Sequence, residues 1–437
     1  MSTRFSTIAV LGILACGLLG RASAQVQTSG QSSMVKPPPV SGQSYRIETG
    51  LETRTNYLRA GLMGGVGYTN NLYPGVGGTL KDAIFSLQPS IAFDTTSARA
   101  HAVLRYDPTF ILYEPDDAYS ETDHSLEANL TYRVTPRLSM DLRDRLLRSS
   151  NGFGQIGAGG ISAGTDASTP GVFVLYGQRV TNEADGGLAY QLSPHGLIGG
   201  SGNDGFLNYT NSSQVPGLYN ADYHGARAYY SAQFSRSQYV GVIYQYQQTL
   251  SYVKKQQYET DTHAIFGFYT LYLSPSFSLS VDGGPQRFTS QLTGVPSVSS
   301  WTPAVTASLG WQSLHASLAG NFTRDVTGGG GLLGTFYTRS TGVSGRWQFS
   351  RPWSAGADLS YAINKNAVSG TDLGNPGGHT FAASANATRR LSDHMDAAFT
   401  FGHIQTRYDG VPVFQENPGG DRFMVSLSWH LDRPIGR

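Results

Sequence analysis

The chain has 437 residues with 31 basic and 30 acidic side chains, a net charge of +1, and only 14% charged residues, against roughly 25% in ordinary soluble domains. The even balance excludes a basic field for nucleic acid. The sequence holds no apolar run of about 18 residues or more, which excludes a helical membrane protein but not a β-barrel, whose oily and wet positions alternate and average out.

Residues 1–24 read as a secretory signal peptide: Arg4 supplies the positive region, Ile8 to Leu19 the apolar stretch, and Ala22-Ser23-Ala24 the small-residue cleavage site. The chain's single cysteine, Cys16, lies inside that signal. The exported protein is therefore expected to hold no disulfide and no thiolate metal site. Ile13-Leu14-Ala15-Cys16 could be taken as a lipoprotein box, but apolar sequence continues past Cys16 and a better cleavage site follows. Residues 25–56, rich in Gln, Ser and Thr around Pro37-Pro38-Pro39, cannot bury a core and are expected to form a disordered periplasmic leader.

From residue 57 onward the dominant signal has period two. Leu126, Ala128, Leu130, Tyr132 and Val134 alternate with Glu127, Asn129, Thr131 and Arg133, and after Thr135-Pro136-Arg137 the alternation resumes with Leu138, Met140 and Leu142 against Ser139, Asp141 and Arg143. That is an antiparallel hairpin with one oily face. The pattern recurs to the end of the chain, where Phe423, Val425, Leu427, Trp429 and Leu431 alternate with Met424, Ser426, Ser428 and His430. Leu197 to Tyr209 alternates weakly, and Asp144 falls on the oily face, which suggests a bulge or slipped register there.

Short turns of one form, a large apolar residue followed by Ser or Thr, recur as Val134-Thr135, Leu192-Ser193, Phe234-Ser235, Leu273-Ser274, Phe349-Ser350 and Leu391-Ser392, with two more near Thr96 and Leu314. Their spacing is about 40 residues, one hairpin per period, apart from one longer interval holding the Gly/Ser-rich stretch Ser149 to Gly171. Eight short turns alternate with nine longer polar stretches, which requires 18 strands with both chain ends on the short-turn side. An even count with short periplasmic turns and long extracellular loops is the pattern of a bacterial barrel. A propeller would need four strands per period, and only two are present.

A sandwich would place bulky apolar residues in a dry core and charge outside. Here the oily face is thin, and the other face carries Arg, Asp, Gln, Asn, Ser and Thr throughout, which suits an oily exterior around a wet interior. Lipid forbids open sheet edges, so such a sheet must close. Tyr132, Tyr190, Phe234, Phe277, Trp347 and Phe349 flank short turns on the apolar face, where an interfacial aromatic girdle belongs. The expected fold is therefore all-β: a closed antiparallel transmembrane β-barrel spanning residues 57–437.

On the signal peptide, the hairpin repeat and the amphipathic aromatic last strand, the chain resembles the Gram-negative outer-membrane β-barrel superfamily, in particular the porin-like barrels found with exopolysaccharide biosynthesis and export. The resemblance implies location in the outer membrane and contact with its lipid and lipopolysaccharide. It also implies handling by the barrel-insertion machinery and, as partners, a polysaccharide or a periplasmic export component. Family members usually end on an aromatic residue, whereas this chain continues from Leu431 through Asp432 to Arg437.

No catalytic, cofactor or metal site is expected. Gly160-Ile161-Ser162-Ala163-Gly164 matches a nucleophile-elbow pattern but lacks the strand and helix that would expose Ser162. Gly199 to Phe206 fits one copy of a calcium-binding nonapeptide that works only in stacked copies, and a loop turn is the expectation there. The ten histidines are scattered, with His101 and His430 on the wet face. That face is where function is expected. If Val134 and Leu138 pair across their turn, Glu127 faces Arg145, Asn129 faces Arg143 and Thr131 faces Asp141. Arg105 and Asp107 extend this wall on the preceding strand, Arg133 ends it, and Arg227, Gln233, Gln245, Arg346 and Asp358 carry polar chemistry further round. Opposed charges of this kind either line a pore with a transverse field or brace the barrel as ion pairs. The expected function is a porin-like channel for hydrophilic solutes or secreted polysaccharide. A non-conducting structural or adhesive barrel and an outer-membrane lipid-modifying enzyme are the alternatives.

Overall fold

The computed structural model describes residues 56–70, 81–114, 120–151, 176–210, 219–253, 256–274, 276–328, 333–368, 377–409 and 419–434. The signal peptide and nearly all of the leader lie outside these residues, as do the Ser162 motif and most of the Ser149 to Gly171 stretch.

The chain forms β1 Tyr57–Thr69, β2 Asp82–Thr96, β3 Ala100–Glu114, β4 Glu121–Arg133, β5 Leu138–Asn151, β6 Tyr176–Ser193, β7 Gly196–Tyr209, β8 Asn220–Ser235 and β9 Gln238–Val253. It continues with β10 Gln256–Ser274, β11 Phe277–Leu292, β12 Val298–Gln312, β13 Ala316–Gly328, β14 Thr335–Gln348, β15 Trp353–Asn366, β16 Gly377–Ser392, β17 Met395–Asp409 and β18 Gly419–Pro434. Each strand pairs antiparallel with its sequence neighbours, and β1 pairs with β18 from Tyr57↔Pro434 to Thr69↔Arg422, which closes the sheet. No helix occurs among the described residues. The fold is a closed antiparallel barrel of 18 strands.

Turn chemistry sets the hairpins at the short-turn end. The Thr135 hydroxyl accepts the N–H of Arg137 at 3.2 Å and of Leu138 at 3.0 Å. The Ser97 and Ser313 hydroxyls do the same for Ala100 and Ala316, each at 3.0 Å. A Ser or Thr hydroxyl thus stands in for the backbone acceptor that a tight turn would otherwise supply.

Period two decides the faces. Leu62, Val66, Leu104, Leu142, Leu188, Val242, Leu359 and Val425 all point outward and remain exposed, as do Tyr190, Phe234, Trp347 and Phe349 beside the short turns. Trp347 meets Phe349 edge-on at 5.9 Å, and Phe349 stacks on Trp353 at 6.2 Å. An apolar outer surface wrapped continuously around a closed sheet is stable facing hydrocarbon.

Three local expectations change. Gly199 to Phe206 lies within β7 rather than in a turn. Its alternation is weak because glycine occupies wall positions: a Cβ on Gly199 would collide with the Tyr229 ring carbon that bears the hydroxyl, so the tyrosine from β8 lies across the bare backbone. The register is unbroken at Asp144, between Ala128 and Ala184, and the outward carboxylate accepts a 2.7 Å hydrogen bond from Asn182 instead of forcing a bulge. The strands also run further into the polar stretches than alternation alone indicates, with β9 ending at Val253 and β10 starting at Gln256.

Candidate pore lining

Every residue proposed from the sequence to line the lumen takes an inward register position, but the residues fall into three separate groups. Arg105, Asp107, Glu127, Arg133, Asp141, Arg143 and Arg145 share the wall of β3, β4 and β5. The pairing inferred from the Val134 turn holds: Glu127↔Arg145, Asn129↔Arg143 and Thr131↔Asp141. Arg227 on β8 stands beside Gln245 on β9, and Gln233, nearer the short turn, stands beside Tyr239. Arg346 on β14 and Asp358 on β15 lie about nine strands from β5 and β6, half the circumference of the barrel.

In the first group the ladders build a row of alternating sign. Arg105 is opposite Glu127, Glu127 opposite Arg145, and Arg145 opposite Glu183 of β6. A second row sets Arg143 opposite Asp185. Glu183 and Asp185 were not singled out by sequence. Their signal is the alternation within Tyr176–Ser193, where both share the parity of the lumen-facing Ala189. The side chains mix ion pairs with diagonal contacts: Arg105 Nε donates to Asp107 Oδ2 at 2.5 Å, Asn129 Nδ2 donates to Glu127 Oε1 at 3.0 Å, and Arg143 Nε approaches the same oxygen at 3.9 Å. Arg143 and Glu127 stay partly exposed, so solvent screens the pair and it contributes little to stability. What the rows supply is a field directed along the wall.

In the second group Arg227 Nη2 donates to Gln245 Oε1 at 3.0 Å, and Gln233 Nε2 donates to the Tyr239 hydroxyl at 3.3 Å. Tyr239 packs with Ala189 and Leu197 and meets Tyr272 edge-on at 5.7 Å, forming an apolar patch inside the short-turn end. In the third group Asp358 accepts from Ser384 at 3.3 Å. The two inward histidines have carboxylate partners rather than bare hydration: His101 lies 3.0 Å from Asp94, itself 3.5 Å from Arg59, and His430 lies 3.7 Å from Asp396.

The opposite end of the lumen is packed. Ladder pairing between β12 and β13 stops at Val305↔Arg324, although β12 begins at Val298 and β13 runs to Gly328. Continuing it would bring Pro303 opposite Val326, and a proline has no N–H for a ladder. Beyond the break, the ends of β13 and β14 turn into the barrel, so that Val326, Gly328, Thr335 and Tyr337, which have outward parity, lie on the inner face of β9, β10 and β11. Gln286 of β11 takes the place of the missing strand: its Nε2 donates to the Val326 carbonyl at 3.1 Å and its Oε1 accepts the Val326 N–H at 2.9 Å. Val326 packs with Phe288 and Val368, and Tyr337 meets Phe288 edge-on at 5.9 Å. Thr335 of β14 shares hydroxyl hydrogen bonds with Thr260 at 2.7 Å and Tyr258 at 3.3 Å, and Tyr258 also bonds Ser290. The approach is so close that a Cβ on Gly328 would lie 2.5 Å from the Thr249 side chain of β9. The wall overlaps itself.

No family model matches the sequence, and no curated protein does. Among solved structures, the ferric citrate transporter FecA is similar over 86% of this chain and 79% of its own, at 10% identity and a TM-score of 0.44. The FrpB iron transporter of Neisseria meningitidis (F5-1 variant) is similar over 89% and 84%, at 9% identity and 0.45. OccK2 (OpdF) of Pseudomonas aeruginosa is similar over 86% and 98%, at 12% identity and 0.41.

Proposed function

We propose that the chain is a channel in the outer membrane of a Gram-negative bacterium and passes hydrophilic solutes. In this reading residues 57–437 form the barrel behind an export signal and a periplasmic leader, the short turns face the periplasm, and the chain performs no catalysis. The observation that carries it is the pairing of an apolar exterior band with inward rows of opposed charge from Arg105 to Glu183. A barrel of this size encloses water unless it is plugged, and charges of alternating sign along the wall of that water favour small polar solutes over apolar ones. Passage of a secreted polysaccharide is the finer form of the proposal. It draws on the resemblance in the sequence and on Tyr229, Gln233 and Gln245, which offer an aromatic face and amides to a sugar.

Single-channel recording of the purified protein in planar bilayers tests the reading, with steady ion-conducting steps as the expected result. A protein that inserts yet never conducts would favour the non-conducting structural barrel, the reading to which the self-overlapping wall lends weight.

A further inference from the structure

Where β12 and β13 part, the outer face of the barrel carries charge with no partner. Arg324 and Arg339 are directly opposite each other in the β13–β14 ladder, which puts two guanidinium-bearing side chains on neighbouring strands about 5 Å apart at Cβ, a repulsive arrangement unless an anion lies between them. Neither has an ion pair among the described residues, and Asp325 between them in sequence takes the other face of β13. Elsewhere on the outward polar belt several charges do have partners: Asp204 lies 2.5 Å from His224, Asp421 2.7 Å from His403, and Asp222 accepts from Tyr252 at 2.5 Å. On the far lip of the break, exposed Arg287 stands opposite Trp301, which is 65% exposed. Below the two arginines the same face turns apolar through Phe322 and Val343, both exposed.

We propose that this notch docks the phosphorylated headgroup of an outer-leaflet glycolipid of the lipid A type. The inference rests on the membrane placement above and adds a specific site to it. The paired guanidinium groups offer planar forks to phosphate oxygens, which a lysine pair would not. Acyl chains would follow Phe322 and Val343 into the bilayer, and Trp301 sits at headgroup level, where indole rings are favoured. Because β12 has no β13 partner from Val298 to Ala304, the headgroup meets a gap in the wall rather than a flat barrel side.

The test is a titration of the full chain in detergent with diphosphoryl lipid A, read by tryptophan emission, with Trp301→Phe to assign the signal. Arg324→Gln/Arg339→Gln is expected to weaken binding by about tenfold or more, the loss of charge-assisted hydrogen bonds. Arg148→Gln, an outward arginine on the intact β5 wall, is expected to leave binding unchanged. Undiminished binding in the double variant, an equal loss in Arg148→Gln, or equal affinity for phosphatidylglycerol each overturns the proposal. If the double variant does not refold, Arg339→Lys keeps the charge, loses the fork and must still weaken binding. Lost lipid A binding with unaltered single-channel current would sink neither reading. Unchanged binding alongside normal current overturns only the notch, and absent current with normal lipid A binding overturns only the channel.

Discussion

The wall of β3 to β6 and the wall of β9 to β15 obey the same two-residue alternation and do opposite things. In the first, the inward positions are Arg105, Glu127, Arg143, Arg145, Glu183 and Asp185, charged side chains of both signs whose pairs stay partly exposed over a wet surface. In the second they are Thr249, Tyr258, Thr260, Gln286, Phe288 and Ser290, all buried under a second layer of the same sheet. Burying a charged wall would cost several kcal/mol for each charge left without a full set of partners. Hydroxyls and one glutamine can instead satisfy one another and a neighbouring strand at close range. Inward chemistry, not strand pattern, decides whether a stretch of barrel stays open or folds upon itself.

The sharpest way to break that contrast is to put charge into the dry wall. Val326→Asp would bury a carboxylate against Phe288, at a cost on the order of 3–5 kcal/mol. The overlap should release before the barrel melts, seen as protease cleavage at the ends of β13 and β14 together with larger single-channel steps. If the variant keeps wild-type protection, the overlap does not depend on that contact. Gln286→Ala comes next. It strips both hydrogen bonds from the Val326 backbone and should lower stability by about 2–4 kcal/mol, measured as a fall in the detergent unfolding midpoint. Glu127→Gln acts on the wet wall, where the expected stability change is below about 1 kcal/mol. Its effect should appear in the reversal potential under a salt gradient, shifted toward anions because Arg105 and Arg145 lose their shared counter-charge. The smallest change is expected from Arg389→Ala, which removes a guanidinium 5.4 Å from the Trp353 ring at the girdle and should cost about 0.5–1 kcal/mol by the same unfolding assay.

The architecture was legible because alternation, turn form and loop count are local and repeat many times. The Val134 turn alone yielded the β4–β5 register, and with it Glu127, Arg143 and Arg145. The inward parity of Glu183 and Asp185 is written in the alternation of β6, but their places opposite Arg145 and Arg143 appear only once β6 is aligned to β5, which no local pattern supplies. The overlap left a fainter trace. Pro303 inside an otherwise good strand marks an edge, but nothing in the local pattern says that Gln286, two strands from β13, would supply the missing bonds. Weak alternation in β7 reflects bare backbone covered by the Tyr229 ring, a contact between strands invisible to a one-dimensional reading.

The seam between Tyr57 and Pro434 has a consequence for biogenesis. The first strand's final neighbour is the last of the 18, so a partly assembled barrel carries an unsatisfied edge until β18 is in place. Closing such a long-range pair is slow compared with forming hairpins. A chain shortened by its terminal strand would retain two raw margins, and aggregation through them would compete with insertion.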